Sequence, residues 1–405
     1  MFRISLCLLV IVLFAMPAQA QYDAYGGWKQ LQGQKTGFFH TERIGGRWWL
    51  LTPEGNAFFI KGIEAVDFSA DRKNAPADKG KAAADVARQL KSWNFNTVGS
   101  WSEKLPDMPY VVNLGLASST TKDMWLLGIV PDYFSPEFRE GVEKRAAEMC
   151  ARYVNDPWLI GYFTDNEIRW VPDIRSMDST LDAMLKKEPS SPGYKKAVAF
   201  LKERGRGTDN VTFDDERDFL EIAAAEYGKI VYSAIRKHDR NHLILGSRFN
   251  NLAPIQLTRA LAPYYDVFSF NCYEHRAPIY KLREINRISG KPTILTEFSF
   301  KALDSGLYCT IGAGDPVETQ QDRADLFTAY VEDLASLPFN VGYHWFKYRD
   351  QPREGAGTRS PGGLGGENSN YGVVKLNGEP WTLLVNRMTE VNARLETVAL
   401  NAGKQ

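Results

Sequence analysis

The sequence contains little of what metal and redox chemistry use. Its 405 residues include four cysteines and five histidines, with neither a CxxC pair nor an HExxH segment. Cys150 lies in a helical pattern and Cys272 in a strand-like run, and with Cys309 they are too few for a disulfide framework in so long a chain. The sequence therefore predicts no transition-metal site and no cofactor.

An excess of charge of either sign is also absent. The 49 basic residues balance 49 acidic ones, whereas proteins that bind nucleic acid present a basic face to the phosphates. Nucleic acid is therefore not expected as the main partner. Low-complexity linkers are absent as well, and no segment repeats at the spacing of about 20 to 50 residues that marks solenoids and propellers.

The only long apolar run lies at the N-terminus. Arg3 precedes an apolar stretch over residues 4–16, which is followed by Pro17-Ala18-Gln19-Ala20. This order is typical of a secretory signal peptide, and the run is too short to cross a bilayer comfortably. We predict a signal peptide at residues 1–20 and a secreted or periplasmic protein without membrane association after cleavage. An uncleaved anchor is the alternative.

Short apolar runs alternate with helical patterns eight times along the rest of the chain. Runs of this kind, bounded by turn residues, are typical of parallel strands that are buried on both faces. They predict a (β/α)₈ TIM barrel over residues 58–400, with a helical insertion after the fourth strand. Residues 21–57 are predicted to form an N-terminal extension and a β-hairpin. A doubly wound sheet is the alternative, but Lys61-Gly62-Ile63-Glu64-Ala65 lacks the glycine-rich loop expected after its first strand.

Two of these strands end in glutamate. The fourth run, residues 158–163, gives way to Thr164-Asp165-Asn166-Glu167, and the seventh ends at Glu297. The carboxyl ends of barrel strands converge on one face, and strands four and seven lie roughly opposite each other. Two opposed carboxylates are what glycosidic cleavage needs, one as acid and the other as nucleophile or base. A buried salt bridge or a helix-starting residue is the alternative for each glutamate.

Other side chains at the same strand ends fit a sugar. Flat faces for pyranose rings are expected from Trp101, Tyr273 and Trp345, although the barrel core is the alternative for Trp345. Asp165 is expected to have a structural role. Hydrogen bonds to sugar hydroxyl groups are expected from Asn96, Asn166, Arg248, Asn271 and His344. For Arg248 and His344, support of Glu297 is the alternative. Glu367 and Asn368 lie in the long loop after strand eight and are expected to line the cleft.

Several motifs together resemble glycoside hydrolase family 50, the β-agarases, within the retaining hydrolases of clan A. The similarity extends from about residue 40 to the end of the chain. It comprises FNTVGSWS at 95–102, GYFTDNE at 161–167, LGSRF at 245–249, EFSFKALD at 297–304, HWFKYRDQP at 344–352 and GENSN at 366–370.

The resemblance implies Glu167 as acid/base, Glu297 as nucleophile, and retention of configuration at a β-linked galactose-type residue. The expected partner is a polysaccharide or oligosaccharide. Two features depart from the family: the usual large N-terminal domain is replaced by a short segment, and Ser299 stands where a histidine is expected. The alternatives are a clan A glycosidase for another β-linked sugar and a non-catalytic carbohydrate-binding barrel.

Overall fold

A curled, nine-stranded parallel sheet forms the centre of the computed structural model, which describes residues 21–67, 78–251, 253–355 and 365–403. The predicted signal peptide lies outside these residues. The sheet has the order β10-β11-β12-β15-β5-β6-β7-β8-β9. Its strands are β5 (Ile60–Ile63), β6 (Thr97–Val98), β7 (Tyr110–Asn113), β8 (Leu159–Phe163), β9 (Leu243–Ile244), β10 (Phe249–Asn250), β11 (Phe268–Asn271), β12 (Thr293–Glu297) and β15 (Asn340–Trp345).

The prediction of an eight-stranded (β/α)₈ barrel is wrong, because the fifth predicted strand, residues 242–248, does not run unbroken. It is divided into β9 and β10, which stand at the two ends of the sheet order. Residues 245–248 separate these two strands, so the sheet must curl until its two ends approach each other. At the break, both Gly246 and Arg248 have left-handed backbone angles, with φ of 84° and 49°.

The N-terminal segment forms a second sheet rather than a lone hairpin. The predicted hairpin is present as β3 (Arg47–Leu51) and β4 (Asn56–Phe58), but it belongs to a four-stranded antiparallel sheet with β1 (Trp28–Gln32) and β2 (His40–Ile44). Phe39, Leu50 and Phe58 from this segment share one apolar cluster with the inner face of the curled sheet. The inner-face members are Ile60, Val111, Ile160, Phe163, Leu243, Leu245, Val267, Ile294 and Val341.

Helices cover the outer face of the curled sheet, and a larger apolar cluster lies between them and the strands. The helix Pro136–Cys150 begins after Ser135, whose hydroxyl accepts from the Phe138 amide at 3.0 Å, and Pro136 takes the first helical position. The helices are Lys79–Ser92, Met124–Leu127, Pro136–Cys150, Thr180–Leu185, Pro192–Glu203, Phe213–His238, Ile255–Leu261, Ile279–Ser289, Gln320–Ser336, Thr382–Asn392 and Leu395–Ala402.

A short parallel pair, β13 (Lys301–Ala302) and β14 (Pro316–Val317), follows the β12 strand, with a 3₁₀ turn at Leu303–Ser305. The helices Thr180–Leu185 and Pro192–Glu203 lie between β8 and the long helix Phe213–His238, where a helical insertion is expected. Within the described ranges, no helix is both long enough and apolar enough to cross a membrane.

Candidate active site

Polar side chains converge where the parallel strands end. All strand pairs of the curled sheet are parallel, so their carboxyl ends lie at one edge of the sheet. The side chains that follow these ends and contact one another are Glu64, Ser100, Asn166, Glu167, Arg248, Asn271, Tyr273 and Glu297. The ends of six strands supply them, namely β5, β6, β8, β9, β11 and β12, so the site depends on the curl of the whole sheet.

Glu297 is held by two donors. It is the last residue of β12 and is 7% exposed. One carboxylate oxygen, Oε1, accepts a hydrogen bond from Nη2 of Arg248. The other, Oε2, accepts from the hydroxyl of Tyr273 at 2.8 Å. With each oxygen engaged by a different donor, the carboxyl plane is fixed at the mouth of the curled sheet.

The surroundings of Glu297 favour opposite states of its carboxyl group. Burial is the main reason that its pKa is raised to about 8, and the neighbouring Glu64 and Glu167 also raise it. The positive charge of Arg248 and the hydrogen bond from Tyr273 favour the ionised form and lower the pKa in return. The ionisation of Glu297 therefore falls near neutral to mildly alkaline pH and responds to each of these neighbours.

Arg248 uses all of its donors within the site. Its Nε donates to Oδ1 of Asn166 at 2.8 Å, and its Nη1 donates to Glu64 Oε1 and to the Ser100 hydroxyl, the latter at 2.7 Å. Its Nη2 donates to Glu64 Oε2 at 2.8 Å and to Glu297 Oε1. Burial alone would lower the pKa of Arg248, but the carboxylates of Glu64 and Glu297 raise it above its ordinary value. The side chain is therefore a fixed cation.

Glu167 is held by neutral donors and is partly exposed. Its Oε1 accepts from the Asn271 amide at 3.0 Å, and its Oε2 accepts from the indole N–H of Trp125 at 2.9 Å. The same Asn271 Nδ2 lies 3.3 Å from Oδ1 of Asn166, while Asn271 Oδ1 accepts from Thr296 at 2.9 Å. Asn271 therefore joins the ends of β8, β11 and β12 and orients Glu167 toward the same edge as Glu297.

The backbone turns sharply at several of these positions. Glu167, Arg248 and Trp101 have φ angles of 50°, 49° and 61°, in the left-handed region that residues with a Cβ rarely adopt. Each lies just past the end of a strand, where the chain leaves the sheet. The turn redirects the side chain toward the mouth of the curled sheet instead of continuing the alternation of the strand.

Asp165 supports this corner from below and has the structural role expected of it. It is fully buried, and its carboxylate accepts from the amides of Ala117 and Ser118 at 3.0 and 3.1 Å and from the Tyr227 hydroxyl at 2.8 Å. Burial raises its pKa to about 6, although these hydrogen bonds oppose the shift. Asp165 thereby joins the β8 end to the loop after β7 and to the helix Phe213–His238.

Small residues on two strands make room for the inner layer of the site. In the ladder of β5 and β15, Gly62 lies opposite His344, and a Cβ on Gly62 would lie 2.2 Å from Cδ2 of that buried ring. A Cβ on Gly99 would lie 2.6 Å from Cγ of Glu64. The His344 Nδ1 is 3.2 Å from Glu64 Oε1. Both glycines are therefore needed for His344 and Glu64 to occupy their positions.

Replacement of Gly62 by alanine is expected to lower the free energy of unfolding by about 1–3 kcal/mol, the usual cost of overpacking. The added methyl group cannot avoid the His344 ring without moving a strand of the sheet. Urea unfolding followed by circular dichroism measures the change. Gly80→Ala is the matched control, because the nearest atom to its Cβ is a carboxylate oxygen at 3.4 Å. Equal stability of the two variants would contradict the packing argument.

Three predicted site residues lie outside the site. Trp345 is 0% exposed, packs among core aromatics and donates its indole N–H to the Tyr371 carbonyl at 3.0 Å, so it offers no face to a sugar. Asn96 precedes β6 and bonds to the backbone of Phe59 and Lys61, at the start of β5 and away from the strand ends. The Asn368 amide holds the backbone N–H groups of residues 310 and 311.

The other predicted residues are near the two glutamates. Trp101 is 53% exposed, and the Arg248 guanidinium lies 5.9 Å from the centre of its ring. His344 is wholly buried and contacts Glu64 rather than the mouth of the site. Glu367 accepts from the Gln351 amide, and burial raises its pKa, with the nearby charge of Glu167 adding to the shift. Of the three aromatic residues predicted to face a sugar, Trp101 is the most exposed, since Tyr273 is partly buried and Trp345 is fully buried.

Sequence reasoning gave no role in the site to Glu64, Ser100, Trp125 or Lys347. Glu64 is fully buried at the end of β5, and Trp125 lies on the short helix Met124–Leu127. Burial lowers the pKa of Lys347, while Glu367 and Glu297 oppose that shift. Only Glu64 had a usable signal, since it is an acid at the end of an apolar run, as Glu167 and Glu297 are.

Comparisons with known proteins point to agarases. The chain is 27% identical to Beta-agarase B of Vibrio sp. (strain JT0107) over 93% of its length, and 27% identical to Beta-agarase A of the same strain over 86%. It spans about half the length of these curated relatives, 50% and 44%. The solved structure of an exo-beta-agarase has the same fold, with a TM-score of 0.81 at 21% identity over 94% of this chain and 68% of that one. No family model matches the chain.

Proposed function

We propose that this protein is a glycoside hydrolase of the agarase type, in which Glu167 and Glu297 perform the chemistry. The proposal rests above all on the pairing of these two carboxylates at one edge of the sheet, bridged by Arg248, Asn166 and Asn271. The similarity to Beta-agarases A and B supports the same reaction class. A non-catalytic sugar-binding protein would have no need of two carboxylates in such different environments.

The environments of the two carboxylates support different roles. Glu297 contacts a fixed cation and a phenol, which stabilise the charged form that a nucleophile needs. Glu167 contacts only an amide and an indole N–H in these hydrogen bonds and is partly exposed, so it can exchange a proton with a leaving group or water. We therefore assign Glu297 as the nucleophile and Glu167 as the general acid/base.

The proposed reaction is a double displacement. Glu297 attacks the anomeric carbon while Glu167 gives its proton to the departing glycosidic oxygen, which leaves a covalent glycosyl ester on Glu297. Glu167, now a carboxylate, takes a proton from water, and that water attacks the anomeric carbon and releases Glu297. Inversion occurs twice, so the product keeps the β configuration.

The proposed substrate is a β-galactosidic linkage in a galactose-containing polysaccharide or oligosaccharide. The exposed ring of Trp101 offers a flat surface to the apolar face of a pyranose. Since Oδ1 of Asn166 already accepts from Arg248 and Asn271, its amide group would serve as the donor to a sugar hydroxyl. The predicted signal peptide at residues 1–20 supports export toward such a polymer, with residues 58–400 as the catalytic unit.

Product analysis on agarose and neoagaro-oligosaccharides tests this proposal. We expect cleavage of the β-galactosidic bonds, with the β-anomer as the first product in proton NMR spectra recorded before mutarotation. A panel with β-mannosides and β-glucans serves as the comparison. Cleavage of one of those sugars with agarose untouched would refute the galactose assignment, and an α-anomer as first product would refute the double displacement.

A further inference from the structure

Glu64 is a third carboxylate of the site, and the proposed reaction assigns it no step. It is 0% exposed and directly follows β5. Its two oxygens accept from Nη1 and Nη2 of Arg248 in a two-point contact, the latter at 2.8 Å. Its Oε1 also lies 3.3 Å from the Ser100 amide and 3.2 Å from His344 Nδ1.

We propose that Glu64 is a positioning residue that sets both the orientation and the ionisation of Glu297 by sharing Arg248 with it. This inference rests on the proposed role of Glu297 as nucleophile. The inference extends that role. It assigns the pH range in which the nucleophile is ionised to Glu64, a buried residue that does not contact the substrate.

The orientation of Glu297 follows from the number of hydrogen-bond donors on the Arg248 guanidinium group. Arginine has five N–H donors in one rigid plane, and all five are engaged: one with Asn166, one with Ser100, two with Glu64 and one with Glu297. The two-point contact with Glu64 fixes the plane. Once that plane is fixed, the remaining Nη2 proton is directed at Glu297 Oε1, so the position of the nucleophile depends on Glu64.

The ionisation of Glu297 follows from the number of charged groups around Arg248. A single buried cation lies between two carboxylates, so Glu297 receives only part of the stabilisation that Arg248 would give it alone. The charge of Glu64 also repels that of Glu297 directly and raises its pKa. His344 does not offset Glu64, because burial lowers the pKa of its ring and keeps it neutral near pH 7.

Other titratable or charged groups act on Glu297 from every side of the site. They are Arg248 between β9 and β10, Tyr273 after β11, Glu64 after β5, Glu167 after β8, and Lys347 and Tyr371 after β15. Among the carboxylates of this set, Glu167 has a step in the reaction. Glu64 is the one whose charge can be removed without removing a proton donor or a nucleophile.

The test is the variant Glu64→Gln, which keeps the shape of the side chain and removes its charge. With the full charge of Arg248 available, the pKa of Glu297 is expected to fall by about one unit or more from its value of about 8. The acidic limb of the kcat/KM profile on a neoagaro-oligosaccharide should move to lower pH by the same amount. The ratio of kcat/KM at pH 6 to that at pH 9 should therefore rise.

A matched control comes from the same strand. Lys61 of β5 forms a buried ion pair with Glu396 at 2.6 Å, on the outer face of the sheet. Glu396→Gln also removes a buried carboxylate from an ion pair, and it is expected to lower stability without moving the acidic limb. An equal shift in both variants, or none in Glu64→Gln, would overturn the proposal, since a merely structural role changes activity at all pH values alike.

A direct titration separates this inference from the proposed function. Glutamate labelled with ¹³C at the side-chain carboxyl reports the pKa of Glu297 by NMR, with Glu297→Gln identifying its signal. The expected fall in Glu64→Gln needs no turnover, so it would be seen even if no glycoside were hydrolysed. Should Glu64→Gln fail to fold, Glu64→Asp is expected to give a smaller fall, because its shorter carboxylate cannot reach both Nη atoms; an unchanged pKa there refutes the inference.

Discussion

Replacement of Glu297 by alanine is expected to lower kcat on neoagaro-oligosaccharides by about 10⁵-fold, comparable with the loss of the nucleophile in a hydrolase that uses a covalent intermediate. Without the carboxylate at the end of β12, no glycosyl ester can form. Arg248 keeps its two-point contact with Glu64, so the fold of the site should persist. Steady-state rates measured by reducing-sugar release check the loss.

Added azide is expected to restore activity to Glu297→Ala, which tests the assignment by a gain instead of a loss. In Glu297→Ala, the small anion can occupy the space of the missing carboxylate and attack the anomeric carbon, while Glu167 still protonates the leaving oxygen. We expect recovered turnover and a glycosyl azide of inverted configuration. Glu54→Ala, in the exposed turn before β4, is the control and should keep full activity. Unchanged activity in Glu297→Ala would refute the assigned mechanism.

Replacement of Glu167 by glutamine is expected to lower kcat by about 10²–10⁴-fold on substrates with a sugar leaving group, the usual contribution of general acid catalysis. The amide can still accept from Trp125 or Asn271, but it cannot supply a proton. Aryl glycosides with a strongly acidic phenol need no such proton, so formation of their glycosyl ester should be almost as fast as in the unmodified protein. Pre-steady-state release of the phenol measures this step.

The leaving group gives a second measure of Glu167. In Glu167→Gln, the loss of kcat should grow as the departing group becomes a weaker acid, because only a weakly acidic leaving group needs the proton. Asp214→Asn is a suitable control, since Asp214 is exposed and pairs with Arg217 in the first turn of the helix Phe213–His238. Equal loss on good and poor leaving groups would show that Glu167 positions the substrate instead of protonating it.

The sequence predicted the positions of most strands and the location of the two glutamates at strand ends, because both depend on local patterns. The apolar run before Glu167 became the fully buried β8, and the run before Glu297 became β12. The helix Pro136–Cys150 starts after Ser135 and the helix Ile279–Ser289 ends at Gly290, and both residues are of the types that cap helices. In each case neighbours in sequence determine the outcome.

Contacts within the site were predicted less well, because a short apolar strand does not reveal which face each residue occupies. His344 and Trp345 are adjacent in β15, so their side chains point to opposite faces. His344 turns inward to Glu64, while Trp345 packs outward against Phe327 of the helix Gln320–Ser336. A continuous apolar run, with no polar residue on one side, gave no means of distinguishing them.

The hydrophobic pattern also did not predict the division of the fifth strand. Leu245-Gly246-Ser247-Arg248 reads as a continuation of β9, and nothing local required the chain to turn at Arg248. The turn is stabilised by contacts distant in sequence, since Glu64, Asn166 and Glu297 all accept from its guanidinium. The role of Glu64 could not be predicted for the same reason, because it arises only when strands far apart in the chain meet.

The left-handed backbone at Trp101, Glu167 and Arg248 has a consequence for how this protein can be altered. Each such residue costs about 1–2 kcal/mol relative to an ordinary conformation, and glycine would adopt these angles without that cost. Selection for heat resistance alone would therefore favour glycine or asparagine at these three positions. Such substitutions would remove the side chains that form the site. Thermostable descendants should gain their stability elsewhere, in the outer helices or the N-terminal sheet, and leave these three corners unchanged.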